Sequence, residues 1–172
     1  ADFVSSKIKD RVSKDWKPSS SEGDVVHYPS IEYVPFDKDG EYYVLARTKH
    51  VLQKCEDYFK REGIIYSRYG RHKSISEKVL YAINSWHKLQ AGEQISLGGA
   101  KNMYKYISSG PEYIQKGHKT WDKALEDDIM VDYQNLYDNH GLRVPLNLLW
   151  HEALNKINED VSLYIRKVER RN

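Results

Sequence analysis

The 172-residue chain predicts an α/β fold: a small parallel β-sheet with a βαβ crossover, followed by an all-helical region. Three observations predict it. Tyr42-Tyr43-Val44-Leu45-Ala46 is an aromatic and aliphatic run suited to a strand. Val51, Leu52, Cys55 and Phe59 follow with the spacing of one helix face. Ile64-Ile65-Tyr66-Ser67-Arg68-Tyr69 then reads as a second strand, stopped by Gly70. A strand, a helix and a strand between residues 42 and 70 imply parallel pairing through a right-handed crossover.

The elements follow in chain order. Val4, Ile8, Val12 and Trp16 lie four apart, a helical stripe over residues 2–16. Lys17-Pro18 and the polar run Ser19 to Asp24 form a loop. Val25–Tyr28 and Ile31–Val34 read as short strands broken by Pro29, and Asp37-Lys38-Asp39-Gly40 as the turn into the strand at 41–46. Thr48 is the expected N-cap and Gly63 the expected end of the crossover helix at 49–62. Ser74-Ile75-Ser76-Glu77 fits a capping box opening a helix that buries Val79, Leu80, Ile83 and Trp86.

Beyond Ala91 the strand signals stop. Residues 96–108 are helical around Met103, Tyr104 and Ile107, and Ser109-Gly110-Pro111 breaks the pattern. Weaker helical patterns cover 119–138. Pro145 begins the cleanest stripe, Leu146, Leu149, Trp150, Ala153, Leu154 and Ile157, and a last helix carries Val161, Ile165 and Val168.

Composition bounds the function. Net charge is +2 and the pI near 8.5, so any basic surface is local. Fourteen Tyr and four Trp are expected mostly as packing residues, with the remainder free to stack on bases. Cys55 is the single cysteine and sits on a helix's apolar face, which leaves no internal disulfide. No apolar run reaches membrane-spanning length and no signal-peptide pattern is present. The expectation is a soluble intracellular protein in the cytoplasm with no membrane partner. The start at Ala1 fits a processed or excised piece.

Motifs for chemistry are missing. Gly110 to Gly117-His118-Lys119 has the wrong spacing for a phosphate loop. His151-Glu152 begins like a zinc-protease motif, but Asn155 stands where the second His belongs. Glu126-Asp127-Asp128 reads as a solvated helix end or, less simply, a metal cluster. What remains is a basic rim at the carboxyl ends of the two strands, where ligands collect on parallel sheets: Arg47, Thr48 and Lys49, then Arg71, His72 and Lys73. Such a rim is either simply solvated or faces phosphates.

Residues 42–89 resemble the second motor lobe of UvrD/Rep-type superfamily 1 DNA helicases. Leu45-Ala46-Arg47-Thr48 matches that family's strand-end triplet, Gly63-Ile64-Ile65-Tyr66 its second strand, and Gly70 its turn. Lys49 stands where the family has Asn, and Tyr69-Gly70 replaces a double Gly. The ending at 162–172 resembles the segment before the family's Thr-x-His-x-x-Lys-Gly motif. The resemblance implies a partial RecA-like lobe over 1–91, a helical insertion over 92–157 and a returning helix over 158–172. It implies a helicase fragment whose Arg47, Thr48, Lys49, Arg71, His72 and Lys73 grip single-stranded or junction DNA beside the remaining helicase domains. ATP and Mg belong to the full-length parent; the fragment holds no cofactor and no catalytic residue. The alternative is a non-enzymatic module that binds nucleic acid or protein, and the basic end Arg166, Lys167, Arg170 and Arg171 is either a helix terminus or a DNA contact.

Overall fold

The structure, a computed structural model, describes residues 23–36, 40–68, 72–121 and 127–171. The helix expected at 2–16, most of the loop at 17–24, the Asp37–Asp39 turn, the Tyr69-Gly70 turn with Arg71, and Glu126 lie outside the described residues. The chain divides into two compact units, 1–38 and 39–172. In the first, neither expected strand forms. Ile31–Tyr33 is instead a single 3-10 turn, closed by the Val34 N–H donating to Ile31 O at 3.1 Å.

The second unit contains helices α1 (Lys49–Glu62), α2 (Glu77–Gln90), α3 (Leu97–Tyr104), α4 (Tyr133–Asn139), α5 (Trp150–Ala153) and α6 (Glu159–Arg171). Its ladders are β1 (Ser67–Arg68) with β2 (His72–Lys73), and β3 (Ile95–Ser96) with β4 (Met130–Val131). Both are antiparallel, with Arg68 opposite His72 and Ile95 opposite Val131.

This overturns the parallel βαβ sheet and the RecA-like lobe built on it. Residues 41–46 join no ladder. A parallel strand is covered on both faces, whereas Tyr43 is 78% exposed and Leu45 92% exposed. Ser67–Arg68 pair instead with the nearby His72–Lys73, and Ser74 N–H extends the pairing by donating to Tyr66 O at 2.8 Å. A local hairpin orders fewer residues than a crossover through a whole helix.

Helix α1 forms where its caps dictate. Thr48 is the N-cap, its hydroxyl accepting a long 3.5 Å bond from Val51 N–H. At the other end Gly63 adopts φ 69°, and the bonds Gly63 N–H to Lys60 O and Ile64 N–H to Phe59 O make a Schellman ending. Of the expected apolar stripe only Phe59 is fully buried, while Val51 faces solvent. The helix packs against α6, whose Lys167 Nζ and Arg171 donate to the terminal carbonyls of Arg61 and Glu62 at 3.1 and 3.3 Å. Two of the four basic residues at the chain's end are thus engaged within the fold.

Helix α2 is the centre of the core. It buries Val79, Ala82, Ile83, Trp86 and Leu89 against α3 and α5. Leu80, expected inside, is 42% exposed. The expected capping box is replaced by a simpler start: Ser76 uses its carbonyl, and Glu77 pairs with Lys73 at 2.7 Å. One continuous apolar cluster then runs from Ile75 to Val168 and includes Met103, Tyr104, Ile107, Leu136 and Ile165.

The stripe from Pro145 does not become one long helix. Trp86 Nε1 and Gln90 Nε2 donate to Leu148 O, and Gln90 also to Leu146 O, so these carbonyls leave the helical ladder. Only Trp150–Ala153 is α-helical, although Trp150, Ala153, Leu154 and Ile157 are buried as expected. The weak helical pattern over 119–138 hides β4, which pairs with β3 and begins α4 only after the Asp132 cap.

Candidate functional site

Each residue of the expected rim has a local setting. Arg47 is exposed in the bend before α1, Thr48 caps that helix, and Lys49 begins it. His72 and Lys73 are exposed on β2, with Lys73 Nζ paired to Glu77, and Arg71 lies outside the described residues. The neighbouring Arg68 is held by Glu56 of α1, its Nε donating at 2.7 Å. Among the described residues no hydrogen bond or ion pair joins Arg47, Thr48 or Lys49 to His72 or Lys73. Nor do the described residues contain a group of three or more His, Cys, Asp or Glu that could hold a metal.

A different set of residues does converge. Lys101, Tyr104, Lys105, Lys119 and Trp121 line a cavity of about 300 Å³. Positions 101, 104 and 105 are one, three and four residues apart along the end of α3, so they share a helix face. Ser96 caps this helix by accepting from Gly99 N–H at 3.1 Å, and the 127–129 segment satisfies its first donors, Leu97 N–H to Ile129 O and Gly98 N–H to Asp127 O. Like charges four apart on a helix repel. Asp127 offsets this by accepting from Lys101 Nζ at 2.8 Å, and among the described residues Lys105 has no carboxylate partner.

Lys119 arrives from the turn after Gly117, a residue with φ 92°. Its ammonium donates to the carbonyl of buried Ile107 and lies beside the ammonium of Lys156. Burial, and then Lys156, push the Lys119 pKa down. The turn is fixed by Gly141 (φ 67°), where a Cβ would meet the His118 ring at 2.6 Å. Only glycine lets the imidazole lie against the backbone there.

The aromatic wall is layered. Trp121 meets Tyr104 edge-on at 4.9 Å between centroids and lies over His140 at 4.5 Å with a 30° tilt. Tyr104 is fully buried, as a packing residue should be, and donates from its hydroxyl to His140 O at 3.2 Å. Burial pushes the Tyr104 phenol up, so it stays neutral. Trp121 is half-buried and brings part of its indole to the cavity. The arrangement offers ammonium donors and a π-surface side by side. It has the chemistry to hold an anion attached to a flat ring.

Burial, and then His118, lower the His140 pKa below its ordinary value near 6.5. On acidification the unfolded chain therefore takes up this proton first. The stability tied to neutral His140 is present above pH 6.5 and is lost as pH falls from about 6.5 towards the folded pKa. Urea midpoints measured from roughly pH 7 to pH 5.5 should fall more steeply for the native chain than for His140→Gln. Parallel slopes would assign the acid sensitivity elsewhere.

Sequence alone does not point to this site: Lys119 stands in the misspaced Gly110-to-Lys119 run, and Lys105 and Lys156 stand in no motif. The one available signal was the Lys101-x-x-Tyr104-Lys105 spacing on an expected helix. No helix among the described residues is long and apolar enough to cross a membrane. No family model, curated protein or solved structure matches the chain.

Proposed function

We propose that this chain binds single-stranded nucleic acid and acts by binding, not by chemistry of its own. The observation that supports it is the convergence of Lys101, Lys105 and Lys119 on one cavity with Trp121. Lysines neutralise phosphates whatever the sequence, and an indole stacks on any unpaired base. A near-neutral chain with one local basic cleft suits weak, salt-sensitive binding. A helicase parent supplying ATP and Mg chemistry rests only on the sequence resemblance carried by residues 42–89 and 162–172, and this binding role does not depend on it.

Lys105, Lys119 and Lys156, which have no carboxylate partner among the described residues, give a slope of log K against log salt of roughly −2 on a single strand. Anisotropy titration of a labelled oligodeoxythymidylate at several salt concentrations measures it. Lys105→Glu with Lys156→Glu changes two exposed side chains and should weaken binding by at least about tenfold while flattening the slope. Arg47→Ala with Lys49→Ala should leave affinity within about twofold. The reverse result would return the grip to the rim expected from the sequence, and salt-independent binding would overturn the proposal.

A further inference from the structure

Resting on that binding role, we infer that the cleft recognises the phosphomonoester of a single nucleotide, either a phosphorylated strand end or a free nucleoside monophosphate. The phosphate sits between Lys119 and Lys156 and the base against Trp121. Three features of the site support this.

The first is size. A cavity of about 300 Å³ is at the lower limit of small-molecule sites, with room for one nucleotide.

The second is the lysine pair. Two ammonium groups side by side repel, and more strongly where one is half-buried. Among the described residues neither Lys119 nor Lys156 has a carboxylate partner, since Asp127 serves Lys101. Lys119 gives one proton to Ile107 O and keeps two for a ligand. Lys156 is placed by its own backbone, whose N–H donates to Tyr106 O at 2.8 Å, so both lysines are anchored to the segment after α3. An anion between them converts the repulsion into two charge-assisted bonds.

The third is the charge of the ligand. An internal phosphodiester carries one negative charge and is tied to chain on both sides. A phosphomonoester carries close to two near neutral pH and presents three free oxygens. Two adjacent lysines match the monoester better.

The experiment compares four oligodeoxythymidylates of one length at one salt concentration: 5′-phosphorylated, 3′-phosphorylated, hydroxyl at both ends, and circular. Thymidine monophosphate and thymidine serve as competitors. One phosphorylated end should bind about tenfold tighter than the hydroxyl-ended strand. Lys156→Gln, an exposed substitution whose fold is checked by circular dichroism, should reduce that preference to under about twofold. Thymidine monophosphate should compete and thymidine should not. Equal binding of phosphorylated, hydroxyl-ended and circular strands overturns the inference and leaves the single-strand role standing. Binding of the monophosphate without any strand overturns the strand role and identifies a free nucleotide as the ligand. Binding of neither overturns both.

Discussion

Trp86→Ala should lower the unfolding free energy by about 3–5 kcal/mol. Trp86 is fully buried on α2, the helix whose apolar face joins the core cluster. Its removal leaves a void that α3 and α5, fixed by their own caps and contacts, cannot fill by collapsing. The lost hydrogen bond matters less. Leu148 O accepts from both Trp86 Nε1 at 3.2 Å and Gln90 Nε2 at 3.0 Å, so it keeps a partner. Trp86→Phe separates the two effects, because it retains most of the volume and loses the indole N–H; a deficit of about 1–2 kcal/mol is expected for it. Urea denaturation of both variants measures the difference. A Trp86→Ala loss below about 1 kcal/mol would mean that Trp86 is not the centre of the core. With typical stabilities of about 5–15 kcal/mol, the expected loss is a large part of the whole.

The stripe containing Trp86 was readable because helical burial repeats within one element. Val79, Ile83 and Trp86 needed no knowledge of their partners to be placed inside, and the same holds for Met103, Tyr104 and Ile107. Caps were readable for a similar reason: Thr48 and Gly63 act on backbone a few residues away. The two ladders were not readable. Their strands are two residues each, too short to show an alternating period, and β3 finds β4 across 33 intervening residues (96 to 130, exclusive). An apolar run such as 42–46 carries strand propensity wherever it lies, but propensity does not supply a neighbouring strand.

The lysine cleft was hidden for the same physical reason. Lys105 is the C-cap of α3, Lys119 lies on a turn and Lys156 after α5, and only the packed core brings these segments together. Its aromatic wall shows how binding chemistry grows out of packing. Tyr104 is a core residue that backs the cavity, while Trp121, resting on it, brings part of its indole to the opening. Variants that loosen Tyr104 should therefore weaken both stability and binding, whereas Lys105 and Lys156 variants should weaken binding alone.

Gly63→Ala is expected to cost about 2–4 kcal/mol and to detach α1 from α6. Gly63 is buried with φ 69°, and a Cβ there would lie 2.8 Å from the Lys167 carbonyl carbon and 2.9 Å from its oxygen. Both are backbone atoms, so no side-chain rotation relieves the clash; α1 must move away from α6. Three bonds spanning that junction depend on the close approach: Tyr164 Oη to Ile64 O at 2.7 Å, Lys167 Nζ to Arg61 O at 3.1 Å, and Arg171 to Glu62 O at 3.3 Å. Gly92→Ala is the matched control, since Gly92 has φ 76° with nothing within 4 Å of an added Cβ. It carries only the left-handed backbone penalty of about 1–2 kcal/mol. The excess for Gly63→Ala thus measures the contact alone. Hydrogen exchange should show α1 amides losing protection in Gly63→Ala while α2 and α3 amides keep theirs. Equal losses for the two variants would mean that α1 moves aside without strain and that the α1–α6 junction contributes little. Because the cavity is lined by residues 101–105 at the end of α3 and by Lys119 and Trp121, its affinity for a phosphorylated oligonucleotide should survive the detachment of α1.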